Sequence, residues 1–209
     1  MIEIQWVKLK KICEELVGKK VHIQASTDIS TEYRSGVIAK EDEVDIIINL
    51  AAKKDDMFLD NAKDYKSMID VNIVGLINLL SASLPEMKKR QYGRFITFSS
   101  VFSSINVKGQ GIYSASKTFA DKLIQIASLE NISFGITCNS IQLGYCEEGM
   151  GLRTTPENIE RAKQKIGLKR FCSIEEIYNI IKFIIDTEYI TGQNIRIDGG
   201  LWCITFLKN

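Results

Sequence analysis

The stretch GIYSASKTFADKL, residues 111 to 123, sets a tyrosine and a lysine four positions apart. On a helix, Tyr113 and Lys117 rise from one face with a single turn between them. A phenol of ordinary pKa, ~10, is a poor proton donor or acceptor at neutral pH until a neighbouring ammonium favours its phenolate. So tuned, it can exchange a proton with a carbonyl or alcohol oxygen. Because the spacing alone also occurs on many solvated helix faces, its meaning depends on what else the chain brings near it. Asn49 closes the apolar run DIIIN, and Ser99 and Ser100 close GRFITFSS. Both runs read as strands, and in α/β sheets ligands lie beyond the carboxyl ends of strands.

The elements that must position these residues alternate along the chain. The helical stretch KLKKICEELVGKK precedes a strand at VHIQA, and EVDIIINLAA has the continuous apolar centre of a strand buried on both faces. Residues about 62 to 90 read as a helix interrupted near Asp70. GRFITFSS, the Tyr113 helix to about Leu129, and the strand FGITCNSI follow. Pro156 opens a helix through Ile166, and Ser173 with Glu176 matches a capping box ahead of IYNIIKFII. YITGQNIRIDGG ends the pattern with a strand and a glycine turn. The expected architecture is a single α/β domain over residues 1–209, built on a doubly wound, mostly parallel sheet.

Composition narrows the function. The 209 residues are 45% hydrophobic and 25% charged with a formal net charge of +1, which gives no electrostatic case for nucleic acid or an anionic membrane. No apolar run of membrane-spanning length stands out on reading, and no signal peptide. Five cysteines without a C-x-x-C pair read as reduced thiols in a cytoplasmic protein. A single histidine, His22, excludes a histidine-built metal centre and a histidine-based triad, so no metal site is expected.

Together these residues resemble the short-chain dehydrogenase/reductase family, in particular its 3-oxoacyl reductase-like members, over roughly residues 20 to 201. The family's N-N-A-G strand end reads Asn49-Leu50-Ala51-Ala52 here, and its N-x-x-G helix reads Asn72 to Gly75. Ser100 precedes Tyr113 by thirteen residues, Lys117 completes Y-x-x-x-K, and YITGQNIRIDGG matches the closing strand and glycine pair. The resemblance implies NAD(H) or NADP(H) as cofactor and a small carbonyl or alcohol substrate. It implies that Tyr113 is the general acid/base and that Lys117 lowers its pKa while holding a cofactor ribose. Ser100 would polarise the substrate oxygen, and Asn72 would support a water relay to Lys117. Asn49, Ala51 and Gly144 would stand along the cofactor, and residues about 145 to 172 would form the substrate lid. A homodimer or homotetramer, joined through the helices beginning near Asp70 and Gly111, is the implied assembly.

The chain departs from the family at the phosphate end. No T-G-x-x-x-G-I-G glycine loop occurs in it. By order of elements IEIQWV would be the family's second strand and VHIQASTD its third, with Asp28 as the acidic residue that follows. That register makes the domain N-terminally truncated by about thirty residues, the usual size of a strand-helix unit. It would also leave an empty slot beside DIIINL, unless IEIQWV itself is the central strand. Leu143-Gly144 replaces the family's P-G, Glu148 stands where a threonine is usual, and Ala25 where an acidic residue is frequent. The expectations are weak dinucleotide binding and, as a competing reading, a catalytically silent structural subunit.

Overall fold

A computed structural model of the chain describes residues 21–24, 44–54, 58–63, 65–147, 155–201 and 203. IEIQWV, the helical stretch after it, Ala25, Asp28 and Glu148 lie outside the described residues. Five strands form one parallel sheet in sequential order: β1 (Val21–Gln24), β2 (Ile46–Asn49), β3 (Gly93–Ser100), β4 (Ile136–Leu143) and β5 (Asn194–Ile197). Four of the expected helices stand among the described residues. α1 (Tyr65–Arg90) precedes β3, α2 (Gly111–Asn131) precedes β4, and α3 (Pro156–Lys165) and α4 (Ile174–Asp186) lie between β4 and β5.

The register expected for the first strands is corrected. Val21 pairs with Ile46, and the pairing runs in parallel to Gln24 with Asn49, so VHIQ sits directly beside β2. The expected gap there does not exist among the described strands. β2 explains why: all four of its residues are buried, and a buried strand edge with unpaired N–H and C=O groups is costly enough that the nearest extended segment fills it.

Alternation within the strands sends side chains to two cores. Ile47, Phe95, Ile136 and Cys138 meet Leu76, Leu79, Leu80 and Met87 of α1 and Ala120, Ile124 and Ala127 of α2. Ile46, Ile48, Ile96, Phe98 and Ile141 meet Ile177, Ile181, Ile184 and Ile185 of α4 on the opposite face. Each fully buried isoleucine or leucine contributes roughly 1.5–3 kcal/mol to this packing. By length and composition α1 could cross a membrane, which reading the sequence for long apolar runs did not reveal; here its apolar stripe lies on the sheet.

The caps follow the sequence. Thr155 Oγ1 accepts from the Asn158 amide at 3.3 Å, with Pro156 in the first turn of α3. Ser173 and Glu176 complete the capping box of α4, with bonds of 3.2 and 2.9 Å. The expected interruption of α1 is a π-helical segment, Asp70–Val74, in which the Gly75 amide reaches back to Asp70 O. Gly199 and Gly200, at φ +60° and +84°, make the turn after β5 that a side chain would strain.

Candidate active site

The carboxyl ends of β2, β3 and β4 bring the predicted residues together. Asn49 ends β2 buried: its Nδ2 donates to Thr97 Oγ1 at 3.1 Å, and its Oδ1 accepts from the Ala51 amide at 3.2 Å. This side chain-to-backbone turn fixes the path of Leu50 and Ala51 over the sheet. Gly144 follows β4, and its amide donates to Ile197 O at 2.9 Å. A Cβ there would stand 2.8 Å from Asp198 Cα, so the close approach of the two strand ends requires glycine.

Ser100 ends β3, and its Oγ accepts from the Phe102 amide at 3.2 Å, capping a turn of 3-10 helix, Val101–Ser103. Its hydroxyl is hydrogen-bonded to the Tyr113 hydroxyl. Tyr113 and Lys117, in the first turns of α2, are 6% and 4% exposed, which removes the solvated-face reading of their spacing.

The electrostatics differ from the expectation. Burial pushes the Tyr113 phenol up to about 12, and the Ser100 hydrogen bond opposes that rise only in part. Lys117 does not lower it: the ammonium lies 5.9 Å from the centroid of the tyrosine ring, and its Nζ donates to Phe98 O at 2.8 Å. Burial in turn brings Lys117 down to about 8, against the pull of Asp121.

Asn72, expected as part of a relay, makes a set of structural bonds. Within the π-helical segment its Oδ1 accepts from the Lys53 amide at 2.8 Å, and its Nδ2 donates to Lys53 O and to Ser116 Oγ, each at 2.9 Å. Both amide hydrogens are thereby committed. The Ser116 hydroxyl in turn donates a hydrogen bond to the backbone carbonyl of Tyr113 at 2.7 Å. Asn72 therefore clamps the chain leaving β2 to the helix turn that carries Tyr113. The extra residue of a π turn is what brings its side chain to that junction.

Sequence reasoning missed Asp121. It is 5% exposed, one turn beyond Lys117, and accepts from Ser103 Oγ at 2.6 Å, Ser140 Oγ at 2.7 Å and Gln142 Nε2 at 2.7 Å. Gln142 Oε1 accepts in turn from Arg196 Nε and a terminal guanidinium nitrogen, at 3.2 and 3.0 Å, tying α2 through β4 to β5. The signal was present as a carboxylate on a helix stripe that otherwise reads Ala120, Ile124 and Ala127. A row of rings was missed as well. Phe102 meets Tyr113 and Tyr145 edge-on at 6.4 and 6.3 Å, and Tyr145 stacks on Phe171 at 5.5 Å. Tyr145 borders an open cleft of about 310 Å³, with Arg170, Cys172, Arg196 and Asp198 among its other walls. Ser100, Tyr113 and Lys117 do not line it.

A family model described as "Enoyl-(Acyl carrier protein) reductase" matches residues 8–202. A 3-oxoacyl-(acyl-carrier-protein) reductase of Buchnera aphidicola subsp. Baizongia pistaciae is 33% identical over 190 residues, 89% of this chain and 77% of that one. The chain belongs to the short-chain dehydrogenase/reductase family. A second 3-oxoacyl-(acyl-carrier-protein) reductase, from Staphylococcus epidermidis, is 29% identical over 205 residues, covering 93% of this chain and 84% of its own. Among solved structures, a gluconate 5-dehydrogenase from Burkholderia cenocepacia in complex with NADP and tartrate superposes with TM-score 0.79. It is 22% identical, over 84% of this chain and 73% of that one, and bears on the fold alone. This short-chain dehydrogenase/reductase thus has the Rossmann-like parallel sheet of its family and is an oxidoreductase by descent.

Proposed function

We propose that the chain reduces a carbonyl to an alcohol by NAD(P)H-dependent hydride transfer, with Tyr113 as general acid. What supports this reading above all is the buried Tyr113 hydroxyl, which holds its proton up to about pH 12 and is hydrogen-bonded to Ser100. A reduced carbonyl carbon leaves an alkoxide, which needs one proton and one fixed donor. Tyr113 supplies the first and Ser100 the second. Because burial disfavours the phenolate, the oxidising direction, which needs Tyr113 as a base, is the harder one at neutral pH.

The nicotinamide cofactor, when bound, supplies the hydride. The ribose end of such a group fits the residues present: Lys117 offers a buried ammonium with one N–H engaged by Phe98 O, and Asn49, Ala51 and Gly144 stand at or just beyond the carboxyl ends of β2 and β4. The pyrophosphate end fits less well, since the sequence has no glycine loop of the T-G-x-x-x-G-x-G kind to present backbone N–H groups. Binding is accordingly weak in our reading.

The relatives' names point to a 3-oxoacyl thioester as the substrate to try. Residues about 145 to 172, with the amphipathic α3 inside them, form the lid over it. The test is oxidation of NADPH or NADH by this chain with a 3-oxoacyl thioester at millimolar cofactor. Turnover that survives Tyr113→Phe largely intact would overturn the assignment.

Assembly as a homodimer or homotetramer belongs to the same reading. Leu76, Leu79 and Leu80 are used up in the chain's own core, but Ile77 of α1 and Ile126 and Leu129 of α2 are 41%, 39% and 75% exposed. Those outward residues would make the contact between copies.

A further inference from the structure

Beyond β4 the chain passes Gly144 and Tyr145 to Cys146, leaves for twenty-five residues, and returns at Phe171 to Cys172. The two ends of this excursion are stitched together. The Glu147 amide donates to Cys172 O and the Cys172 amide to Tyr145 O, both at 2.9 Å, which makes Cys146 and Cys172 directly opposed partners of a parallel bridge. Opposed residues in such a bridge send their side chains to the same side, with backbones about 4.8 Å apart. That separation lies within the span of roughly 4.4–6.8 Å between Cα atoms that a disulfide bridges, and the Cβ atoms, starting at about the strand spacing, must draw in by a few tenths of an ångström to reach the roughly 3.5–4.5 Å the bond requires. Both side chains pack against the same apolar cluster, the one beneath α4, and each thiol lies within electrostatic reach of the other. Both are reduced in the structure. Cys172 is also part of the wall of the solvent-open cleft beside Tyr145, so a small reagent can reach that member of the pair.

We propose that Cys146 and Cys172 are a modification site: a dithiol that closes to a reversible disulfide when it meets a low-molecular-weight disulfide such as oxidised glutathione. The thiolate of one cysteine attacks one sulfur of the reagent, forming a mixed disulfide and releasing one thiol. The sulfur of the other cysteine then attacks the first Sγ, the second thiol leaves, and the protein loses two hydrogens while the reagent's disulfide is reduced to two thiols. The second attack is intramolecular and across a bridge that backbone bonds already hold, which favours closure over a lasting mixed disulfide. The product staples the base of the excursion that carries α3, and with it Tyr145, the ring that links Tyr113's neighbour Phe102 to Phe171.

The site stands apart from the assignment of Tyr113, since its readout is a covalent mass. The folded protein is incubated with oxidised glutathione, acid-quenched, alkylated and digested without reduction. The expected map joins the Cys146 peptide to the Cys172 peptide, with loss of two hydrogens and no glutathione on either, while the exposed Cys203 carries a glutathione adduct. Dithiothreitol restores both thiols, and Cys203→Ser leaves the joined pair unchanged. Glutathione found separately on Cys146 or Cys172, or both thiols unmodified once Cys203 has reacted fully, overturns the proposal. So does a joined pair that forms only after the protein is unfolded in urea.

Discussion

The sheet is built unevenly, and so is the site above it. β3 and β4 pair along eight residues each, whereas β1 and β2 pair along four. Over the long pair stand Ser100, Tyr113, Lys117 and Asp121, each buried and each held by hydrogen bonds. Over the short pair, among the described candidate residues, stand Asn49 and Ala51, in a family whose glycine loop belongs on that side and whose sequence signature this chain lacks. Under the function proposed above, the difference teaches that proton transfer and cofactor capture are separable structural tasks. The first depends on a helix packed across two long strands, and the second on backbone donors that no side chain of the first can replace.

The comparison breaks most decisively at Tyr113. Tyr113→Phe removes the transferable proton and leaves the ring packed on Phe102, so kcat should fall about 10²–10⁴-fold while the urea midpoint hardly moves. On the phosphate side, calorimetric titration of the chain with NADH and NADPH should give dissociation constants above about 100 μM; low micromolar binding would mean that the two tasks are not separated here.

Lys117→Met sharpens the comparison by setting function against stability. The folded-state value, about 8, lies below the ordinary 10.5, so the buried ammonium is a cost that is fully present below pH 8 and relieved as pH rises to 10.5. Wild-type stability should therefore climb between pH 8 and 10, by on the order of 1–3 kcal/mol, and the variant should stay flat in that window. Tyr113 acts in the opposite sense only above pH 10, where the unfolded phenol ionises first. At pH 7 the variant should unfold at higher urea than wild type and yet be nearly inactive. A lower midpoint would show that the ammonium stabilises the fold.

Asp121→Asn gives the smallest expected change. The amide cannot accept all three of the donors the carboxylate now satisfies, a loss of about 1–3 kcal/mol. It also withdraws the charge that supports the Lys117 ammonium, so the alkaline limb of the activity profile should move to lower pH. An unmoved limb would leave Asp121 with a packing role alone.

Most of the site was legible because its residues are fixed by local spacing. Tyr113 and Lys117 share a helix face, and Ser100 and Asn49 sit where apolar strands end. What eluded the sequence depends on partners far away along the chain. The pairing of VHIQ with β2 is decided by an unfilled edge, not by anything in those four residues. The state of the phenol follows from how deeply α2 sinks onto β3 and β4, which no spacing reveals. The resemblance implies a relay role for Asn72, and no spacing reveals that both its amide hydrogens are held by Lys53 and Ser116.

The sequential order of the sheet has a bearing on synthesis. Each strand pairs with the one made just before it, so as the chain emerges every new strand finds its neighbour already present. The last of them, β5, supplies Arg196 to Gln142, and its Asn194 side-chain amide lies 2.9 Å from the Ser140 hydroxyl oxygen, two links that brace the cage around Asp121. A nascent chain halted before Asn194 would therefore hold its tyrosine and lysine in sequence but not yet in a finished setting, and activity would appear late, as a property of the released protein.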